Sequence, residues 1–71
     1  MTTIINKTPE DVIAAFRANK PTTETAKLFL VKNGQDITIF GFRTVGNTIF
    51  VIKQDATEVL VDSSDNIELR T

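Results

Sequence analysis

Large apolar residues are concentrated in the middle of the chain, in runs that are apolar on both faces of an extended backbone. Successive side chains of a strand point to opposite faces, so Leu28 and Leu30 lie on one face and Phe29 and Val31 on the other. Two later runs repeat this pattern. The three predicted strands are 26–32, 36–45 and 48–53.

Turn-forming pairs separate these strands. Asn33-Gly34 follows the first strand, and Gly46-Asn47 precedes the third. A fourth strand is predicted at 57–61 and a fifth at 66–70, with the polar cluster 62–65 between them. The connections are short enough for an antiparallel meander.

Gly41 interrupts the second predicted strand. A glycine inside a strand is typical of a bulge or a sharp bend, as where a small sheet curls into a barrel. The alternative is a glycine tolerated under the ring of Phe40 or Phe42.

A helix is predicted at about 9–19, before the strands. Thr8 is a suitable cap, Pro9 suits the first helical position, and Asp11 lies where the helix dipole favours an acidic group. Pro21 ends the helix, and a polar connector follows. One stripe of this short helix is apolar and is formed by Val12, Ile13 and Phe16.

The chain has 71 residues, without cysteine or histidine. Domains of this size bury little surface and are usually supplemented by disulfides, metal or oligomerisation. Disulfides and the usual zinc ligands are excluded here, which leaves either a very well packed core or oligomerisation. Oligomerisation is favoured, and we expect no metal and no cofactor. The strands are apolar on both faces, and one short helix can cover only part of that surface. Uncovered apolar surface and open sheet edges favour association with other subunits.

The charges nearly cancel, with eight basic and nine acidic residues. No whole-molecule field would therefore hold a polyanion. No apolar run approaches the roughly 20 residues of a membrane span. We expect a soluble cytoplasmic protein that does not contact membranes.

No catalytic constellation stands out, and we expect no enzymatic activity. General-base chemistry would depend on carboxylates or lysines, and no pair is marked as sharing a cleft. Asp62, Asp65 and Glu68 recur every three residues, but their pattern does not fit a calcium loop, so a solvated turn is favoured over a cation site.

Several basic residues lie at strand ends or just beyond the expected bend. They would either gather at one rim and contact phosphates, or protect strand edges and keep the protein soluble. These residues are Lys27, Lys32, Arg43 and Lys53.

The layout resembles the Sm-like proteins, in particular the short bacterial Hfq type. Segment 28–34 is similar to their first strand with its glycine turn, Gly41 to their bend glycine, and 46–53 to their loop and third strand. The likeness extends over residues 8–69, and it implies a single Sm-like domain over 1–71. The size fits a bacterial or phage-type protein.

The resemblance implies a mainly β fold: a short helix followed by a strongly bent, five-stranded antiparallel barrel of the small SH3 type. It also implies a homo-oligomeric ring of five to seven subunits, in which the fourth strand of one subunit pairs with the fifth strand of the next. The candidate interface residues are Val59, Leu60, Val61, Ile67 and Leu69.

The resemblance further implies binding of single-stranded RNA. The candidate contacts are Asn47, Thr48, Ile49, Ser63, Ser64, Lys32, Arg43 and Lys53. Where the family usually carries a basic pair, this chain has the acidic segment 62–65, which would oppose phosphate at a pore. The alternative function is a protein-binding scaffold or adaptor with weakened or lost RNA binding.

Overall fold

The computed structural model describes residues 1–22 and 25–71, and part of the predicted polar connector lies outside them. The fold is mainly β, with one short helix and two antiparallel sheets. The helix is α1, Pro9–Ala18. The strands are β1 Thr2–Ile5, β2 Leu28–Lys32, β3 Gln35–Thr38, β4 Gly41–Val45, β5 Thr48–Ile52, β6 Glu58–Leu60 and β7 Asn66–Arg70.

The strands form a four-stranded sheet in the order β1-β7-β2-β3 and a three-stranded sheet in the order β4-β5-β6. Hairpins join β2 to β3, β4 to β5, and β5 to β6. The last strand, β7, returns to lie between β1 and β2.

The second predicted strand, 36–45, is divided into β3 and β4, and the break lies at Ile39 and Phe40. The Ile39 amide donates to the Leu28 carbonyl at 3.1 Å, whereas the Phe40 amide donates to the Ile52 carbonyl at 3.0 Å. Consecutive amides therefore serve different sheets, and the chain passes from one sheet to the other at this point.

Gly41 follows directly and does not adopt the left-handed conformation that favours glycine. A side chain at this position would meet only Ile52, at an ordinary contact distance of 3.6 Å. The sharp bend predicted here is present, but its geometry does not require a glycine.

Strand pairing does not close the sheets into a barrel within the described residues. Helix α1 instead packs on both sheets. Its Val12 is fully buried among core residues of both, and the edge of the Phe16 ring meets Phe42 of β4, with centroids 5.2 Å apart. The fully or nearly fully buried apolar residues are Val12, Leu28, Leu30, Ile39, Ile49, Val51 and Ile67.

Strand β1 was not predicted from the sequence. It consists of four β-branched residues, a composition that favours strands, and it pairs with β7 along its whole length. As a result, both edges of β7 are occupied. In residues 1–22 and 25–71, no helix is long and apolar enough to cross a membrane.

Candidate functional site

A cleft of about 250 Å³ lies between the β4–β5 turn and the β6–β7 loop. It brings together Asn47 and Ile49 from one side and Ser63 from the other, three residues of the predicted RNA-contact set. Lys7, which the sequence analysis did not single out, also lines it. The Lys7 ammonium donates to the carbonyls of Ser63, at 2.6 Å, and Asp65, at 2.5 Å, so it holds the β6–β7 loop.

The β6–β7 loop is a turn whose residues 62–64 are exposed, as its composition predicted, but Asp65 at its end is buried. Asp65 is 3% exposed, and its carboxylate accepts hydrogen bonds from the Asp62 amide at 2.9 Å and the Lys32 ammonium at 2.7 Å. Lys32 also pairs with the Asp62 carboxylate at 3.1 Å. A short polar sequence with turn-forming residues gives no sign of this burial, because the compensating lysine lies 33 residues away in the chain.

These contacts tie Lys32 to the loop. The hydrogen bond to Asp65, followed by that to Asp62, raises the pKa of the Lys32 ammonium. The same bond with Lys32 is the main cause that lowers the pKa of Asp65. Lys32 additionally donates to the Leu60 carbonyl at 3.2 Å, so it links β2 of one sheet to β6 of the other.

Arg43 is likewise engaged. Its guanidinium makes two hydrogen bonds to the Glu58 carboxylate, at 2.6 and 3.2 Å, and lies 4.5 Å from the centre of the Phe50 ring. The hydrogen bond from Arg43 lowers the pKa of Glu58. Two of the three predicted basic RNA contacts, Lys32 and Arg43, therefore already have carboxylate partners.

The remaining predicted RNA contacts, Thr48, Ser64 and Lys53, do not line the cleft of about 250 Å³. Lys53 lines a different cleft of about 490 Å³ with Phe40 and Asp36, where the two sheets separate. Thr48 and Ser64 are exposed, the first on β5 and the second in the β6–β7 loop. The structure thus gathers Asn47, Ile49 and Ser63 but not the whole predicted set.

The candidate interface residues differ in how exposed they are. Val59, Val61 and Leu69 pack against the core, and Ile67 is fully buried. Leu60 is 44% exposed and lies on β6, which pairs only with β5 among the residues that the structure describes.

Four apolar residues lie on the outer face of the three-stranded sheet, opposite the core, beside the Arg43–Glu58 ion pair, whose guanidinium lies over one of them, Phe50. Register places Phe50 opposite Leu60, with Ile52 two residues further along β5 and Val45 on the neighbouring strand β4. Val45 is 56% exposed. We call Val45, Phe50, Ile52 and Leu60 the apolar strip; it matches the expectation that strands with two apolar faces leave apolar surface uncovered.

The outer face of the other sheet carries a cluster of ion pairs beside an aromatic ring. Arg70 makes two hydrogen bonds to the Asp36 carboxylate, at 2.6 and 2.9 Å, contacts Glu68, and lies 4.6 Å from the centre of the Phe29 ring. The hydrogen bond from Arg70 lowers the pKa of Asp36. This cluster was not predicted from the sequence, because its members come from three strands.

Within residues 1–22 and 25–71, no three His, Cys, Asp or Glu side chains gather in a way that could hold a metal ion. Comparison of the chain with protein-family models, with curated proteins and with solved structures finds no match in any of the three.

Proposed function

We propose that this chain is a non-enzymatic, Sm-like protein that assembles with copies of itself into a ring and serves as a protein-binding scaffold. The observation that carries the proposal is the apolar strip beside the open edge of β6. Exposed apolar surface of this kind marks association sites, and an open strand edge offers unpaired backbone groups to a partner.

The Sm-like assignment is supported by the order of the strands. Apart from β1, the paired strands run β7-β2-β3 and then, across the break at Ile39 and Phe40, β4-β5-β6. If β3 and β4 are counted as one bent strand, the outermost strands are the predicted fourth and fifth. A strongly bent barrel of five strands is the Sm-like form of this arrangement.

The ion pairs favour the scaffold over RNA binding as the main role. Non-specific affinity for nucleic acid depends on lysines and arginines that can neutralise phosphates. Lys32 and Arg43 are paired with Asp62, Asp65 and Glu58. Binding phosphate through them would require these pairs to be broken or shared.

Light scattering of the purified protein, before and after nuclease treatment, tests the assembly. We expect a mass five to seven times the 7.9 kDa of one chain, unchanged by nuclease and without absorbance from nucleic acid. A monomer at all concentrations would overturn the ring. A mass that falls on nuclease treatment would show that nucleic acid holds the assembly together, and it would favour RNA binding over the scaffold function.

The scaffold role is tested by capture of protein partners after nuclease treatment. Val45→Lys places a charge in the apolar strip, whereas Gln35→Lys adds the same charge at an exposed position of the other sheet. Capture should be lost in Val45→Lys and retained in Gln35→Lys. Equal capture by both variants would show that the strip is not the binding surface.

A second candidate is binding of single-stranded RNA at the 250 Å³ cleft, because Asn47 of the β4–β5 turn and Ser63 of the β6–β7 loop converge there beside Ile49 of β5. Amide and hydroxyl groups can hydrogen-bond the edges of unstacked bases. Titration with U-rich and A-rich oligonucleotides at several salt concentrations tests it. Asn47→Ala should weaken binding, and Gln35→Ala, at an exposed position of β3 outside this cleft, should not. Absence of salt-dependent binding excludes this candidate.

A further inference from the structure

The outer edge of β6 carries free main-chain groups. The Val61 amide donates to the Ile49 carbonyl, and the hydrogen-bonding direction alternates along an antiparallel strand. The amides and carbonyls of Glu58 and Leu60 therefore point away from β5. Lys32 donates to the Leu60 carbonyl, which keeps a second lone pair, and the other three groups have no strand partner among the described residues.

Strand β1 has a matching free edge. The Thr71 amide donates to the Met1 carbonyl, so Thr3 and Ile5 face β7 and the main-chain groups of Thr2 and Ile4 point outwards. β1 lies at the end of its sheet, as β6 does.

The two edges also match in the direction of their side chains. Glu58 and Leu60 point to the outer face of their sheet, and Thr2 and Ile4, opposite Arg70 and Glu68, do the same on theirs. Ile4 is 56% exposed and Leu60 is 44% exposed. Each free edge therefore presents one large apolar side chain on the outer face of its sheet, Leu60 on β6 and Ile4 on β1.

We propose that β6 of one copy of this chain pairs antiparallel with β1 of a second copy. With the two strands aligned along their length, Thr2 lies opposite Leu60 and Ile4 opposite Glu58. Ile4 and Leu60 then become diagonal neighbours on one face, within reach of each other. The pairing satisfies the free main-chain groups of both edges.

The contact joins two different surfaces, so each copy pairs through β6 with one neighbour and through β1 with another. Such head-to-tail contacts form rings when the rotation between copies closes. This inference rests on the self-assembly proposed above. The Sm-like arrangement pairs the fourth predicted strand, β6, with the fifth, β7, of the next copy, whereas here β6 pairs with β1 of the next copy. β1 already covers the edge of β7 that a partner would otherwise use.

Proline variants test the contact selectively. The Ile4 and Leu60 amides make no hydrogen bond within the chain in this arrangement, so proline at either position blocks the edge without removing a bond of the fold. We expect Ile4→Pro and Leu60→Pro each to have the mass of a single chain. An equimolar mixture should give a dimer and nothing larger, because one intact β6 and one intact β1 remain.

Far-UV circular dichroism and melting curves show whether each variant is folded, and Ile4→Lys and Leu60→Lys provide a second pair that keeps the backbone unchanged. A wild-type ring that persists in folded Ile4→Pro and Ile4→Lys would overturn the β1 interface and leave the ring proposal intact. A wild-type monomer would overturn both. Failure of folded single-edge variants to form a dimer on mixing would also contradict the inference.

Discussion

Lys32 is the residue that connects the two sheets at the loop end of the molecule. It belongs to β2, and its ammonium reaches the Leu60 carbonyl and the carboxylates of Asp62 and Asp65. The Asp65 side chain is only 4% exposed, whereas that of Asp62 is 55% exposed. Since hydrogen bonds to a buried charged group cannot be replaced easily by water, the two aspartates differ in importance.

Asp65→Asn should therefore destabilise the fold by about 2 kcal/mol through loss of charged hydrogen bonding. Asp62→Asn, in the same loop, should cost less than about 1 kcal/mol because exposed ion pairs contribute little. Urea unfolding at pH 7 measures both. Equal losses for the two variants would show that the burial of Asp65 does not matter for stability.

The pH dependence gives an independent test of the same pair. The hydrogen bond from Lys32 holds the pKa of folded Asp65 below its ordinary value of 3.8. A lowered carboxylate pKa gives stabilisation that is present above the unfolded pKa and is lost as the pH falls through the folded pKa. The difference in unfolding free energy between wild type and Asp65→Asn should therefore be smaller at about pH 3 than at pH 7.

The strands and the helix follow from local pattern, since Thr8 and Pro9 begin α1 as predicted and the turn pairs begin and end strands. Two features needed tertiary information. β1 is short and is stabilised by pairing with a strand more than 60 residues away, as in the pair Ile4 and Glu68. The exact position of the break at Ile39 depends on which sheet each amide serves, and a single sequence does not encode that directly.

The three glycines differ in what they require of the backbone, which gives a prediction for the bend. Gly46 has φ of +60°, where a side chain is strained, whereas Gly41 has no such conformation and has room for a methyl group. Gly46→Ala should cost about 1 kcal/mol. Gly41→Ala should be neutral or stabilise by about 0.5 kcal/mol through the unfolded chain. Thermal melts distinguish these outcomes. A large loss of stability in Gly41→Ala would show that the bend does require a glycine.

The candidate site was predictable to the extent that it lies in loops between predicted strands. Asn47 and Ser63 follow from loop position, and they do share a cleft. The ion pairs of the basic residues were not predictable, because Arg43 contacts Glu58 only when β4 and β6 flank β5. Lys7 gave no signal, since its role depends on how the segment between β1 and α1 passes the β6–β7 loop.

At the scale of the whole molecule, positive charge is largely compensated by carboxylates, with a formal net charge of −1. The arginine pairs cover Phe50 on one sheet and Phe29 on the other. Val45 and Leu60 stay exposed on the outer face of the three-stranded sheet, and β6 forms an edge of that sheet. Assembly through such surfaces depends on main-chain hydrogen bonds and apolar burial, which salt screens little compared with exposed ion pairs.

The mass of the assembly should accordingly stay constant between about 50 mM and 500 mM NaCl, where the screening length shortens several-fold. An assembly held by RNA would instead weaken steeply over this range, because each phosphate contact releases counterions. Light scattering across a salt series separates the two, with Gln35→Lys as a control for the effect of one added charge. Constant mass in both proteins supports association through main-chain pairing and apolar contacts at the strand edges, and dissociation with rising salt contradicts it.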